Sequence, residues 1–283
     1  MTRELNRLEH AIPPYKFLTA FAQIVSRLGH PNANVLACLQ SIVQRVLHAH
    51  PSQALWSIVG VANGSSPNKK RCTDLLDKVS ASASTPASLR DQIAQVREAA
   101  KQLVLVCDNK TTSGTFSAHA QQGLRRLFPL SLAMPVQANL TGTLPAKGED
   151  EKAHRPFAAD QATVMDIDDT VEVLASLQRP KKINLISSTG AKVRFLLKRD
   201  DDLRKDARVI DFASMVNVFL KRDPDARKRR LRMRTYAVIT LNETYALLEW
   251  VPHTVALRGV LDSLYKSRGM NQYMVRRALL WKQ

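Results

Sequence analysis

Cysteine is scarce in this chain of 283 residues: Cys38, Cys72 and Cys107 stand far apart and form no C-x-x-C pair. An odd number at such spacing argues against a zinc cluster and against a disulfide framework, and points to a reducing compartment. Long apolar runs are missing too. No stretch of about 18 apolar residues occurs, so no membrane-spanning helix is predicted. The opening MTRELNRLEHAIPPYKF has no apolar core of signal-peptide length, so a cytosolic or nuclear location is expected. Acidic residues are few beside basic ones, 25 against 42, for a net charge of +17. That excess suits nucleic acid, an acidic partner or phosphates. It is uneven: residues 1–100 hold 11 basic and 6 acidic side chains, residues 176–234 hold 18 and 7.

What is present is an ordinary folded composition, 45% apolar and 24% charged. The length allows one large domain or two of usual size. Residues 1–127 read as helices. Phe17, Leu18, Phe21, Ile24, Val25 and Leu28 share one helical face, and Val35, Leu36, Leu39, Ile42, Val43, Val46 and Leu47 share another. Asn32 or Asn34 could cap the second helix, and Pro51 suits the first turn of a third. A fourth runs through Leu75, Leu76 and Val79, and Ser84-Thr85-Pro86 opens a longer one. Antiparallel helix pairs suggest an α-solenoid, though a compact bundle fits the same pattern. Residues 128–165, with Pro129, Pro135, Pro145 and the charged run Lys147–Lys152, read as a linker.

From Thr170 the period changes toward strands. VEVLASL, KINLISS and AKVRFLLK suggest a hairpin meander, a helix is predicted from Asp201 to Lys221, and TYAVITL and YALLEWV read as two more strands before a helix over Leu257–Tyr265. The fold class is therefore α+β: a solenoid-like helical region, then a mixed sheet with helices.

Two stretches could carry chemistry. The loop around Ser176, followed by Gln178-Arg179-Pro180-Lys181-Lys182, offers backbone N–H groups and cations to phosphate oxygens, although a solvated hairpin tip has the same composition. In FLLKRDDDLRKDAR, Lys198 closes an apolar strand, and its ammonium is expected to turn inward beside Phe195 and Leu197, paired with following acids. Asp202 and Asp206 are four apart, hence on one helical face. A capped helix with salt-bridged surface residues accounts for the pattern equally well. The run Arg227-Lys228-Arg229-Arg230 supports an alternative function, a basic scaffold or nucleic-acid-binding module.

LASLQRPKKI, FLLKRDDDLRKDAR and RTYAVITLNETYALLEWVPHT, in this order, resemble the N-lobe of the phosphatidylinositol 3-kinase-related protein kinases. S-L-Q-x-P-K-K-I and D-D-L-R-K-D resemble the ATR branch and its fungal members. YKFLTAFAQIVSRLGH and HPSQALWSIVGVANGSSPNKKRC are similar to the C-terminal helices of that family's FAT domain. The resemblance implies a FAT region over 1–127, a linker over 128–165, a kinase N-lobe over 166–270 and the start of a C-lobe region over 271–283. It implies a serine/threonine protein kinase of the DNA-damage checkpoint that uses ATP with Mg²⁺. ATP would be bound through Ser176, Lys198, Asp201, Asp206, Tyr236, Leu248, Glu249, Trp250 and Val251. Lys198 would hold phosphates, Tyr236 would lie at the back of the adenine pocket, and 248–251 would form the hinge. It further implies substrates with Ser or Thr before Gln, an ATRIP-like subunit, an indirect link to damaged DNA and a nuclear location. The family's D-R-H-x-x-N loop, its D-F-D or D-F-N motif and its FATC segment are not found in these residues. No catalytic residue or metal ligand is therefore assigned, and the chain alone is expected to be inactive.

Overall fold

The structure, a computed structural model, describes residues 7, 9–65, 68–120, 122–200 and 202–270. It divides into two compact units, Met1–Trp250 and Val251–Gln283.

In the first unit the helices α1 (Phe21–Ser26), α2 (Ala33–Ala49), α3 (Pro51–Ala62), α4 (Asn68–Ala81) and α5 (Ala87–Cys107) come first. The predicted first helix is broken, because Pro14–Phe17 is one α-turn, Leu18–Ala20 is 3-10, and Ala20 at φ −121° interrupts the run before α1. Asn32 is the cap of α2, its Oδ1 accepting from the N–H groups of Asn34 (3.0 Å) and Val35 (3.2 Å). Pro51 starts α3, where its missing N–H has no helical partner to lose.

The sheet comprises β1 (Gly114–Ser117), β2 (Leu130–Ala133), β3 (Thr163–Ile167), β4 (Thr170–Val173), β5 (Lys181–Ser187), β6 (Lys192–Arg199), β7 (Val238–Thr240) and β8 (Tyr245–Glu249). Its main order is β1-β4-β5-β6-β8-β7, with β3 also on β5 and β2 on β3. Every pairing is antiparallel. A short helix α6 (Gln137–Leu140) follows β2, and α7 (Arg204–Arg222) and α8 (Pro224–Lys228) separate β6 from β7.

Helices and sheet share one core. α3 is apolar nearly all round, with Leu55, Trp56, Ile58 and Val59 at 1% exposure or less, and such a helix belongs in the middle. It packs on α4 and α5 and also on β2 and β7. The Trp56 indole N–H donates to the Ala133 carbonyl at 2.9 Å. The approach of α3 to β7 requires glycine at position 60, since a Cβ there would lie 2.4 Å from the Thr240 carbonyl oxygen.

The stretch 128–165 is not a free linker. β2 pairs with β3, β3 pairs with β5, and Leu132, Met134 and Val164 are buried. Four residues of LSLA are too few to show a strand period; the neighbouring strand supplies the hydrogen bonds that make them one. The charged segment is also held down. The Tyr15 hydroxyl donates to the Glu151 carbonyl (3.2 Å), Lys16 pairs with Glu151 (2.5 Å), and His154 packs against the Tyr15 ring at 5.3 Å. Likewise the helical reading of 1–127 missed β1, which pairs with β4 from Gly114↔Val173 to Ser117↔Thr170. VEVLASL is a strand only to Val173.

In the second unit α9 (Leu257–Ser267) forms where a helix was predicted. Its apolar residues Leu257, Val260, Leu261 and Leu264 are all at least 37% exposed. Residues 271–283, expected to start a C-lobe region, lie outside the described residues.

Candidate functional site

Strand alternation gives the centre of the sheet two unlike faces. In register, Ile183 opposes Phe195, and Leu197 and Ile239 both oppose Leu247. All of these are buried on the face that the helices cover. The other face is lined in register by Lys182 opposite Leu196, Leu248 opposite Leu196 and Val238, and Lys198 opposite Ala246. There Leu203, Ala246 and Leu248 make a small separate cluster, with Leu196, Tyr236 and Val238 packed on it.

Lys198 belongs to this second face. The expectation that it turns inward beside Phe195 and Leu197 is corrected: both are odd-numbered neighbours on one strand and point the opposite way. Lys198 is half-buried beside the Leu196–Ala246–Leu248 patch. Lys181 and Lys182 also diverge. Lys181 is buried on the helix-covered side, where desolvation lowers its pKa, and its ammonium donates to the Arg179 carbonyl at 3.1 Å. Lys182 lies on the Lys198 face, paired with Glu172, with its Nζ 5.9 Å from the centre of the Trp250 ring.

The other predicted site residues fall as follows. Ser176 is exposed in the loop between β4 and β5. That loop is closed by Leu174 N–H to the Pro180 carbonyl (3.0 Å) and Arg179 N–H to the Ser176 carbonyl (3.1 Å). Arg179 sits at φ 47° and Leu177 is fully exposed at the tip. Asp201 lies outside the described residues. Asp206 is exposed in the first turn of α7. Asp202 precedes that helix and holds Arg204 at 2.6 Å, so Asp202 and Asp206 do not share a helical face as expected. The Arg204 guanidinium keeps the Asp202 carboxyl below its ordinary pKa. Tyr236 and Leu248 join the small cluster. The Glu249 carboxylate points to the other side, accepting from the N–H groups of Gln137 and Ala237, each at 2.8 Å. Trp250 donates its backbone N–H to the Arg194 carbonyl (3.0 Å). Val251 begins the second unit. Among the described residues no group of three or more His, Cys, Asp or Glu converges as a metal site. Arg227–Arg230 are all exposed.

A family model described as "Serine/threonine-protein kinase ATR-like, HEAT repeats" matches residues 1–97, and one described as "Phosphatidylinositol 3- and 4-kinase" matches residues 192–282. The chain is 35% identical over 266 residues to the serine/threonine-protein kinase ATR of Arabidopsis thaliana, covering 91% of this chain and 10% of that protein. It is 32% identical over 276 residues to protein kinase rad3 of Schizosaccharomyces pombe, covering 95% and 12%. The chain belongs to the ATR-like kinases.

It spans about a tenth of the length of those relatives. Among solved structures, the open conformation of CtTel1 is similar with a TM-score of 0.76 at 17% identity, over 94% of this chain and 10% of that one. A structure titled "FAT and kinase domain of CtTel1" gives 0.74 at 19% identity, over 92% and 18%. These likenesses bear out the α+β fold with a kinase N-lobe sheet. The helices of this ATR-like segment, expected as FAT, match under the description HEAT repeats over 1–97.

The motifs missed Leu196, Val238 and Ala246 on the face of Lys198, and Glu172 as the partner of Lys182 there. The alternation in KINLIS and KVRFLLK carries the signal for Leu196. Which strands lie beside it is a matter of pairing.

Proposed function

We propose that this segment carries the N-lobe half of the ATP site of a serine/threonine checkpoint kinase. One observation supports it above the rest: Lys198 emerges next to a small apolar patch on the sheet face opposite the one that α3 and α5 pack against. The residues suit the ligand. Leu196 and Trp250, half-buried over Ala246 and Leu248, offer apolar surface to a planar base, while Lys198 offers an ammonium to phosphate oxygens. The loop at Ser176–Gln178 leads into Lys181, which is in register with Leu197 next to Lys198, and it carries backbone N–H groups for further phosphate contact. Asp206, in the first turn of α7, would add an acid on the helix that follows the lysine strand, and Val251 would follow Trp250 in the hinge. Glu249 acts differently from a ligand contact: its carboxylate ties β8 to Ala237 and to the start of α6, holding Leu248 and Trp250 in position.

ATP would arrive with Mg²⁺, whose charge offsets that of the triphosphate. The base and the metal ligands would come from a catalytic lobe that the motifs above do not supply, so these 283 residues alone would bind ATP without transferring phosphate. Protein substrates with Ser or Thr before Gln, an ATRIP-like subunit, indirect engagement of damaged DNA and a nuclear location complete the reading.

Ligand-observed NMR titration of the chain with Mg-ATP tests it. Lys198→Met is expected to weaken binding about tenfold, the loss of one charge-assisted phosphate contact. ATP affinity unchanged by that substitution would falsify the assignment of Lys198.

A further inference from the structure

Lys198 stands where its strand is poorly supported. The pairing of β6 with β5 ends at Leu197↔Lys181, whereas its pairing with β8 continues through Lys198↔Ala246 to Arg199↔Tyr245. The last two residues of β6 are thus flanked by strand on one side only. Immediately after them Asp200 takes φ 64° and turns the chain away. Residues on a one-sided rung are the part of a strand most free to fray.

On the helix-covered face, that last rung meets the end of α5. Asp108, the residue that ends this helix, accepts from the Tyr245 hydroxyl at 2.6 Å and from Arg199 Nη1 at 3.3 Å. Arg199 and Tyr245 are the cross-strand pair of that rung. One carboxylate therefore grips both strands at once. The Arg199 ion pair is partly exposed, 42% and 37% for its two side chains, and is weak alone. The tyrosine bond is short and made to a charged acceptor, so it contributes more. Arg199 is held a second time by its Nε donating to Asp200 (2.8 Å). Strand alternation then places Lys198, between Leu197 and Arg199, on the opposite face with its root fixed.

We propose that Asp108 is a positioning residue: by clamping Arg199 and Tyr245 from the helical layer, it fixes the end of β6 so that Lys198 meets the phosphates of the nucleotide. The role rests on the nucleotide reading of Lys198 given above. It also makes α5 a lever, since any shift of that helix end reaches the phosphate lysine through two side chains. Displacement of a binding group by a fraction of its contact distance is costly to the interaction it makes and leaves distant contacts intact.

The test is a titration of the 283-residue chain with Mg-ATP and, separately, with adenosine, which lacks phosphates. Asp108→Ala is expected to weaken ATP binding about fivefold while changing adenosine binding by less than about twofold. In a Lys198→Met background the same substitution is expected to have no further effect on ATP. Tyr245→Phe, which removes only the hydroxyl, is expected to shift ATP affinity in the same direction by a smaller factor, and it decides the matter if Asp108→Ala does not fold. Equal losses for ATP and adenosine overturn the proposal, as does an Asp108 effect that persists undiminished without Lys198, or no effect on ATP at all. A flat response of ATP affinity to Lys198→Met alone overturns the nucleotide reading instead, so the two failures are told apart.

Discussion

The two faces of the central sheet are made from alternate residues of the same strands, yet they do different work. Phe195 and Leu197 are fully buried against the helical layer, while Leu196 between them, part of a patch of six residues, and Lys198 after them stay half-buried. Apolar burial of the first kind fixes where the strands lie. The second face buries only a small cluster, Leu203, Ala246 and Leu248, and its geometry is inherited from the first. Such a face can keep charged side chains near apolar surface because the stability is supplied elsewhere in the unit.

The sharpest way to break this contrast is to truncate adjacent residues. Phe195→Ala is expected to destabilise the chain by ~3–5 kcal/mol, the cost of emptying a fully buried aromatic site. Leu196→Ala, one residue on, is expected to cost only about 1 kcal/mol, for a half-buried side chain on an open patch. Denaturant midpoints measured on both variants check this, and equal losses would remove the distinction between the faces. A smaller effect probes how closely the helices press on the covered side. Gly60→Ala forces a methyl to within 2.4 Å of the Thr240 carbonyl, and is expected to cost about 1–3 kcal/mol. A wild-type melting temperature for that variant would mean that α3 and β7 stand further apart.

The least perturbing test leaves the chain unmutated. Burial pushes the thiols of Cys72 and Cys107 up to about 12, and that of Cys38 upward as well. A raised thiol pKa leaves the group protonated near pH 8, and the thiolate is the reactive form. All three should therefore ignore a thiol reagent in the native chain and react together on unfolding. Cys107 is the informative one, because it closes α5 beneath the covered face. Its early modification would show that face to be open.

Much of the fold was legible as pattern. The helices α2, α3 and α5 appear where apolar spacing, Pro51 and Pro86 put them, and the hairpin of β5 and β6 follows its alternating residues. β1, β2 and β3 were not legible. They are four or five residues long, and their hydrogen bonds come from partners elsewhere in the chain. Of the candidate site, the motif order picked out Lys198, Tyr236 and Leu248. It misjudged the side to which Lys198 turns, since burial of a lysine was argued from its sequence neighbours, and on a strand those neighbours face away. It also gave Glu249 no structural role, whereas the carboxylate bridges β8 to α6 over 112 residues of sequence.

The sequence by itself determined the family and the α+β class and singled out Lys198 as the candidate, because ordered motifs and local periodicity are properties of short stretches. Only the tertiary structure decided which face carries that lysine and what steadies it. Asp108 meets Arg199 across 91 residues and Tyr245 across 137. No local preference encodes such a meeting; it exists because α5 packs on the sheet through side chains spread along both, and a hydrogen bond forms only once that packing has brought its partners within about 3 Å.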